Sequence, residues 1–164
     1  MSQATLIRRT ISLESITETK FHLYGQLIKP TEHGKIFDHT DAQLNLSQGQ
    51  PRFYLMHLDK RGRSFHQITR HQQCTQCLGS LGGKDWFLVV APPNRRTKPD
   101  LLMMRAFRIP GDCFVKLEMG TWHAGPYFDH EFVDFYNLEL SQTNIVDHDT
   151  YDFRQEDDIE WVIF

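Results

Sequence analysis

Long hydrophobic runs are what this sequence most visibly lacks. The longest lies around Trp86 to Ala91, far short of the ~20 apolar residues a helix needs to cross a bilayer. Residues Met1 to Ser12 carry Arg8 and Arg9 without the apolar stretch of a secretion signal. Charge of one sign is never concentrated. The 18 basic and 21 acidic residues are interspersed, and no Lys/Arg stripe is laid out to follow phosphates. Neither a membrane nor a nucleic acid is therefore expected as a partner. Cysteine is scarce, and three cannot all pair, so a reducing, cytoplasmic setting is expected. Repeats, low-complexity tracts and linkers are absent too. A single domain over residues 1–164 follows, with enough chain for one sizeable core.

What is present is mostly strand pattern. Phe21, Tyr24 and Ile28 share a face at helical spacing, but Gly25 falls inside the pattern and predicts a short helix that ends near it. Pro30 to Gln50 reads as loop. Strands are expected over Phe53 to Leu58, Ser64 to His71, Trp86 to Ala91 and Phe132 to Leu140. The unbroken apolar run of the third suits a strand buried on both faces. The apolar end, Trp161 to Phe164, suits a docked last strand or an oligomer contact. Six or seven short strands separated by Gly/Pro turns, with one early helix, predict an all-β sandwich or barrel.

The stretch from Pro110 to Pro126 is the most informative. Cys113, Val115, Leu117 and Met119 alternate with Phe114, Lys116 and Glu118, the period of a strand between two environments. Gly120 then turns the chain, and Trp122 and His123 follow in a Gly/Pro frame that suits a pocket wall or a buried, satisfied histidine. Earlier, His71, Cys74 and Cys77 are spaced three apart, but a structural zinc site needs a second ligand pair that is missing. Two ordinary reduced cysteines are the simpler reading. His71, Gln76 and His123 also echo the ligand order of metal-binding cupin barrels. Gln76 stands where such a site has Glu, and Thr69 where it has another His, which weakens a cation site. Arg70 offers a planar guanidinium able to clamp a small carboxylate. Adjacent strand residues face opposite ways, so Arg70 and His71 share a pocket only across a bulge or a strand end. The remaining histidines, His148 among them, read as exposed.

Taken together and in order, these tracts resemble the ureidoglycolate lyase family (long called ureidoglycolate hydrolase), cupin-like enzymes of allantoin and purine breakdown. The resemblance rests on Phe21-x-x-Tyr24-Gly25, Arg70-His71 with Thr75-Gln76, Phe87 to Ala91, Pro99-Asp100, Ala106-Phe107, Trp122-His123…Pro126 and Asp134-Phe135. Gln72 replaces a Pro, Ala124 replaces a second His beside the presumed site, Gly125 is inserted, and Glu139-Leu140 stands for Asp-Arg. The resemblance implies a cupin-like double-stranded β-helix that releases glyoxylate and urea from ureidoglycolate without a cofactor, as a homodimer. In that reading His123 is the acid/base, with His71 and Glu118 as further catalytic candidates. Arg70 clamps the carboxylate, and Gln76 and Trp122 complete the substrate site. Two alternatives stay open: a non-catalytic cupin-like module that binds a small carboxylate, and a metal-dependent cupin enzyme using His71, Gln76 and His123.

Overall fold

The computed structural model describes residues 5–164. In chain order its strands are β1 (Ile7–Ile11), β2 (Leu13–Ser15), β3 (Gly25–Ile28), β4 (Pro51–Asp59), β5 (Ser64–Phe65), β6 (Gln67–Arg70), β7 (Gln76–Ser80), β8 (Gly83–Ala91), β9 (Arg105–Gly111), β10 (Phe114–Leu117), β11 (Trp122–Tyr127), β12 (Phe132–Leu140), β13 (Asp149–Asp152) and β14 (Ile159–Ile163). Three helices of about one turn, α1 (Glu18–Phe21), α2 (Thr143–Val146) and α3 (Phe153–Asp157), sit between them. No helix among the described residues is long and apolar enough to cross a membrane.

The strands form three layers. A six-stranded sheet, in the order β13-β6-β11-β8-β9-β2, lies in the middle, with a five-stranded sheet, β3-β10-β7-β12-β4, on one side. On the other side is a three-stranded sheet, β1-β14-β5. β8 shows why. Trp86, Leu88 and Val90 enter a core against the five-stranded sheet, where they meet Leu78, Val115, Leu117 and Phe135. Phe87, Val89 and Ala91 enter a second core with Ile159, Trp161 and Ile163. A strand with a core on each face has no solvent side, so its sequence cannot alternate with polar residues. Each large side chain buried this way contributes about 1.5–3 kcal/mol.

The all-β fold with a short early helix is what the structure shows, the six- and five-stranded sheets enclosing the first core like the walls of a barrel. The helix is shorter than its apolar spacing suggests. Thr17 caps α1 through the Lys20 N–H, Phe21 and Tyr24 are buried, and Ile28 belongs to β3 rather than to a helix face. A Cβ at Gly25 would sit 1.8 Å from the Lys116 carbonyl oxygen, so only glycine lets β3 pair closely with β10. The stretch from Ser64 to His71 is two strands, not one. β5 pairs with β14, whereas β6 pairs with β11 and β13. The apolar terminus is a docked strand: β14 is the centre of its sheet, parallel to β1.

Candidate active site

The interior face of the barrel changes character along its strands. On β12, Val133 and Phe135 are core residues, and the next two side chains on that face are Asn137 and Glu139, both buried. β7 runs antiparallel beside it, with Asn137 opposite Leu78, which sets Gln76 next to Glu139. On β11, His123 lies opposite Val90 of the interior core on one side and Thr69 on the other. One end of the barrel is therefore lined with polar side chains, although the rest of its interior is apolar.

His71 enters this end from the turn after β6. Its ring centroid is 5.0 Å from that of His123 and 5.7 Å from that of His148. Its Nδ1 lies 2.5 Å from the Asp147 carbonyl oxygen. A carbonyl only accepts, so Nδ1 carries the proton and Nε2 keeps a free lone pair. The Asp147 carboxylate meanwhile accepts the backbone N–H groups of Gln72 and Gln73, each at 2.8 Å, and so fixes the turn that carries the ring. His123 repeats the arrangement more loosely, with Nδ1 3.3 Å from the Thr121 carbonyl. Burial lowers the pKa of His71. Burial first, then the neighbouring His71 imidazole, pushes His123 down to about 3. Both rings are neutral at physiological pH.

A hydrogen-bonded chain faces them. Gln76 Nε2 donates to Asn137 Oδ1 and to Glu139 Oε2, each at 3.1 Å. Asn137 Nδ2 donates to the Tyr54 hydroxyl at 3.0 Å. Tyr54 and Asn144 approach the second Glu139 oxygen at 3.4 Å. The Glu139 carboxylate, only 1% exposed, thus has amide and phenol donors and no Lys or Arg among its partners. Its charge favours the protonated form of His71.

Three residues singled out in the sequence are elsewhere. Arg70 was expected beside His123, but strand alternation sends it through the opposite face. Its guanidinium carbon lies 4.2 Å from the Trp122 ring centroid, Nε is 2.7 Å from Asp149 Oδ2, and Nη1 donates to the Asn94 carbonyl. Trp122 belongs to the second core and does not line the polar end either. Glu118 is 51% exposed beyond β10 and pairs with the buried Lys116 ammonium, so it does not face inward as a base. Ala124 also points into the second core. The imidazole that the family motif would place at this position is not missing from the polar end of this chain.

The sequence reading missed Glu139, Asn137 and Tyr54, and it did not foresee that His148, exposed as expected, lies beside His71. For the first two the signal was present: continuing the alternation of Val133 and Phe135 puts Asn137 and Glu139 on the same inward face. For His148 there was none, because only the return of the chain after α2 brings it near His71. No group of three or more His, Cys, Asp or Glu side chains placed to hold a metal ion occurs among the described residues. Cys74 Sγ lies 3.5 Å from the Thr143 hydroxyl. Burial raises the Cys77 thiol to about 11.

An all-β fold thus holds a neutral histidine pair and a buried carboxylate at one end of its interior, groups able to accept and return a proton. The ureidoglycolate lyase family model matches residues 8–159, and the chain belongs to that family. Among solved structures, RmlC from Streptococcus suis in complex with dTDP-D-xylose is similar at 11% identity and a TM-score of 0.40. That match covers 54% of this chain and 43% of the other, so the chain spans less than half of that relative. No curated protein matches the sequence.

Proposed function

We propose that this protein cleaves ureidoglycolate to glyoxylate and urea, a lyase step of allantoin and purine catabolism, in the cytoplasm. The carrying observation is the pair of neutral imidazoles 5.0 Å apart, each with Nδ1 turned to a backbone carbonyl and Nε2 left free. In the reaction, Nε2 of His123 takes the proton of the carbinol hydroxyl. The oxygen's electron pair becomes the carbonyl bond of glyoxylate as the C–N bond breaks. The leaving nitrogen receives a proton, so His123 accepts first and donates second, and the protein ends unchanged. His71 Nε2, an acceptor, takes the N–H next to the carbinol carbon and so holds the substrate in line, with the Glu139 charge beside the His71 ring. The substrate carboxylate lies toward the mouth. There the Thr69 and Thr150 hydroxyls are 2.9 Å apart, with His148 beside Thr150.

The test is purified protein incubated with ureidoglycolate, following glyoxylate. His123→Ala is expected to abolish release with the circular dichroism spectrum intact. Turnover unchanged by that substitution would overturn the assignment.

The homodimer belongs to the same proposal, with the outer face of the five-stranded sheet as its contact. There Phe53 and Leu55 are 65% and 59% exposed, and Phe53 and Phe114 stack on either side of Tyr136 at 5.8 and 5.6 Å. Apolar surface of this kind is normally covered by a partner. Sedimentation of Leu55→Asp is expected to show a monomer where the native protein is a dimer. A native monomer would refute it.

A further inference from the structure

We infer that Gln76 and Glu139 together form a subsite that accepts N–H donors and so receives the ureido end of the substrate, leaving the carboxylate outside it; this rests on the lyase reading above. The starting point is the direction of one amide. Gln76 is 7% exposed, and its Nε2 faces two acceptors, Asn137 Oδ1 and Glu139 Oε2. A carboxylate cannot donate, and Asn137 already spends its own N–H group on Tyr54. Turning the Gln76 amide over would set oxygen against oxygen at both contacts. Its orientation is therefore dictated by Glu139.

The consequence is an orphan. Gln76 Oε1 is sealed from solvent and has no hydrogen-bond partner, an unmet acceptor that is costly to leave in a buried amide. Beside it, Glu139 is an acceptor with capacity for about four hydrogen bonds, and its protein donors are one amide at 3.1 Å and two groups at 3.4 Å. Two acceptors side by side, one of them anionic and neither paired with a cation, repel a carboxylate and attract a neutral head rich in N–H groups. A terminal –NH–CO–NH2 offers such donors. Binding it satisfies Oε1 and makes up the lost hydrogen bond. The substrate then has one orientation: ureido group inward against Gln76 and Glu139, carboxylate outward toward the Thr69–Thr150 pair. This also removes any need for Arg70, which is committed to Asp149 on the other face.

Two small probes, methylurea for the ureido end and oxalate for the acid end, separate these roles in calorimetric titrations of the native protein, Gln76→Leu and Glu139→Gln. Gln76→Leu is expected to weaken methylurea at least tenfold and to change oxalate less than twofold. Glu139→Gln keeps the shape but removes the charge, so methylurea weakens at least threefold while oxalate binds more tightly. A loss of stability alone would not move the two probes in opposite directions. Methylurea indifferent to both substitutions, or oxalate falling in parallel with it, overturns the inference. Glyoxylate release by the same native sample tests the lyase reading separately. Release with methylurea indifferent defeats only the subsite. Dependence on Gln76 without any release supports an N–H-recognising subsite and defeats the lyase reading.

Discussion

Trp122 and His123 are neighbours in the chain and strangers in the fold. One side of the six-stranded sheet carries Trp122, Ala124 and Arg70 into a packed layer against the chain ends. The other side carries His123 and Thr69 into the polar end of the barrel, near His71 and the Gln76–Glu139 pair. On the first face the Arg70 guanidinium has its partners within the protein, and what is left over is donors, the indole N–H groups of Trp122 and Trp161. On the second, two imidazole Nε2 atoms and one amide oxygen are left over. The difference teaches that packing and chemistry are divided between the faces of one sheet, so closeness in sequence is poor evidence for a shared site.

Several substitutions would break or sharpen that contrast. The largest effect is expected for His123→Ala: glyoxylate release falls about 10²- to 10⁴-fold, the usual weight of a positioned acid/base, with little change in thermal unfolding. Trp122→Ala acts on the other face. Removing a buried indole costs about 3–5 kcal/mol, read by chemical denaturation, while the kcat of the molecules that remain folded stays near native. Should Trp122→Ala abolish turnover without loss of stability, the division of faces fails.

A pH series sharpens the same point. Folded His123, held near 3 by burial and by His71, binds no proton at pH 5, whereas the unfolded chain does at its ordinary value of about 6.5. The unfolded state thus binds more protons between about 3 and 6.5. Stability is lost as pH falls through that window, by at most about 1.4 kcal/mol per unit. His123→Asn is expected to flatten that slope in thermal melts between pH 7 and 4, and an unchanged slope would contradict it. Arg70→Met removes an ion pair and a stacked cation. It should cost about 1–2 kcal/mol of stability and leave kcat/KM within threefold; a large loss of activity at native stability would return Arg70 to the site. The smallest effect on activity is expected at Glu118→Gln: it leaves the buried Lys116 ammonium a neutral acceptor in place of its carboxylate, costs about 1–3 kcal/mol of stability and does not change turnover.

Much of the scaffold was legible because its residues are chosen by local environment. The apolar run from Trp86 to Ala91 announces a strand with a core on each side, and the alternation from Phe132 to Leu140 matches β12. β7 was not legible, because Gln-Cys-Leu-Gly-Ser has no β-branched residue and becomes a strand only between β10 and β12. β1 was missed for a similar reason: it exists as the parallel partner of a strand at the other end of the chain. At the site, His71 and His123 were found from their motifs. Arg70 was set beside His123 because its motif adjoins His71, although strand alternation sends it to the other face.

The sequence by itself determined the all-β class, the family, and the pairing of His71 with His123, since periodicity and motif order are local properties written in residue types. Only the tertiary structure decided which face each motif residue uses, and that Glu139 rather than Glu118 or Arg70 supplies the charge next to His71. The reason is the two-residue period of a strand. A shift of one position exchanges inside for outside, and pairing between distant strands, not the neighbouring residues, sets which side becomes the barrel interior.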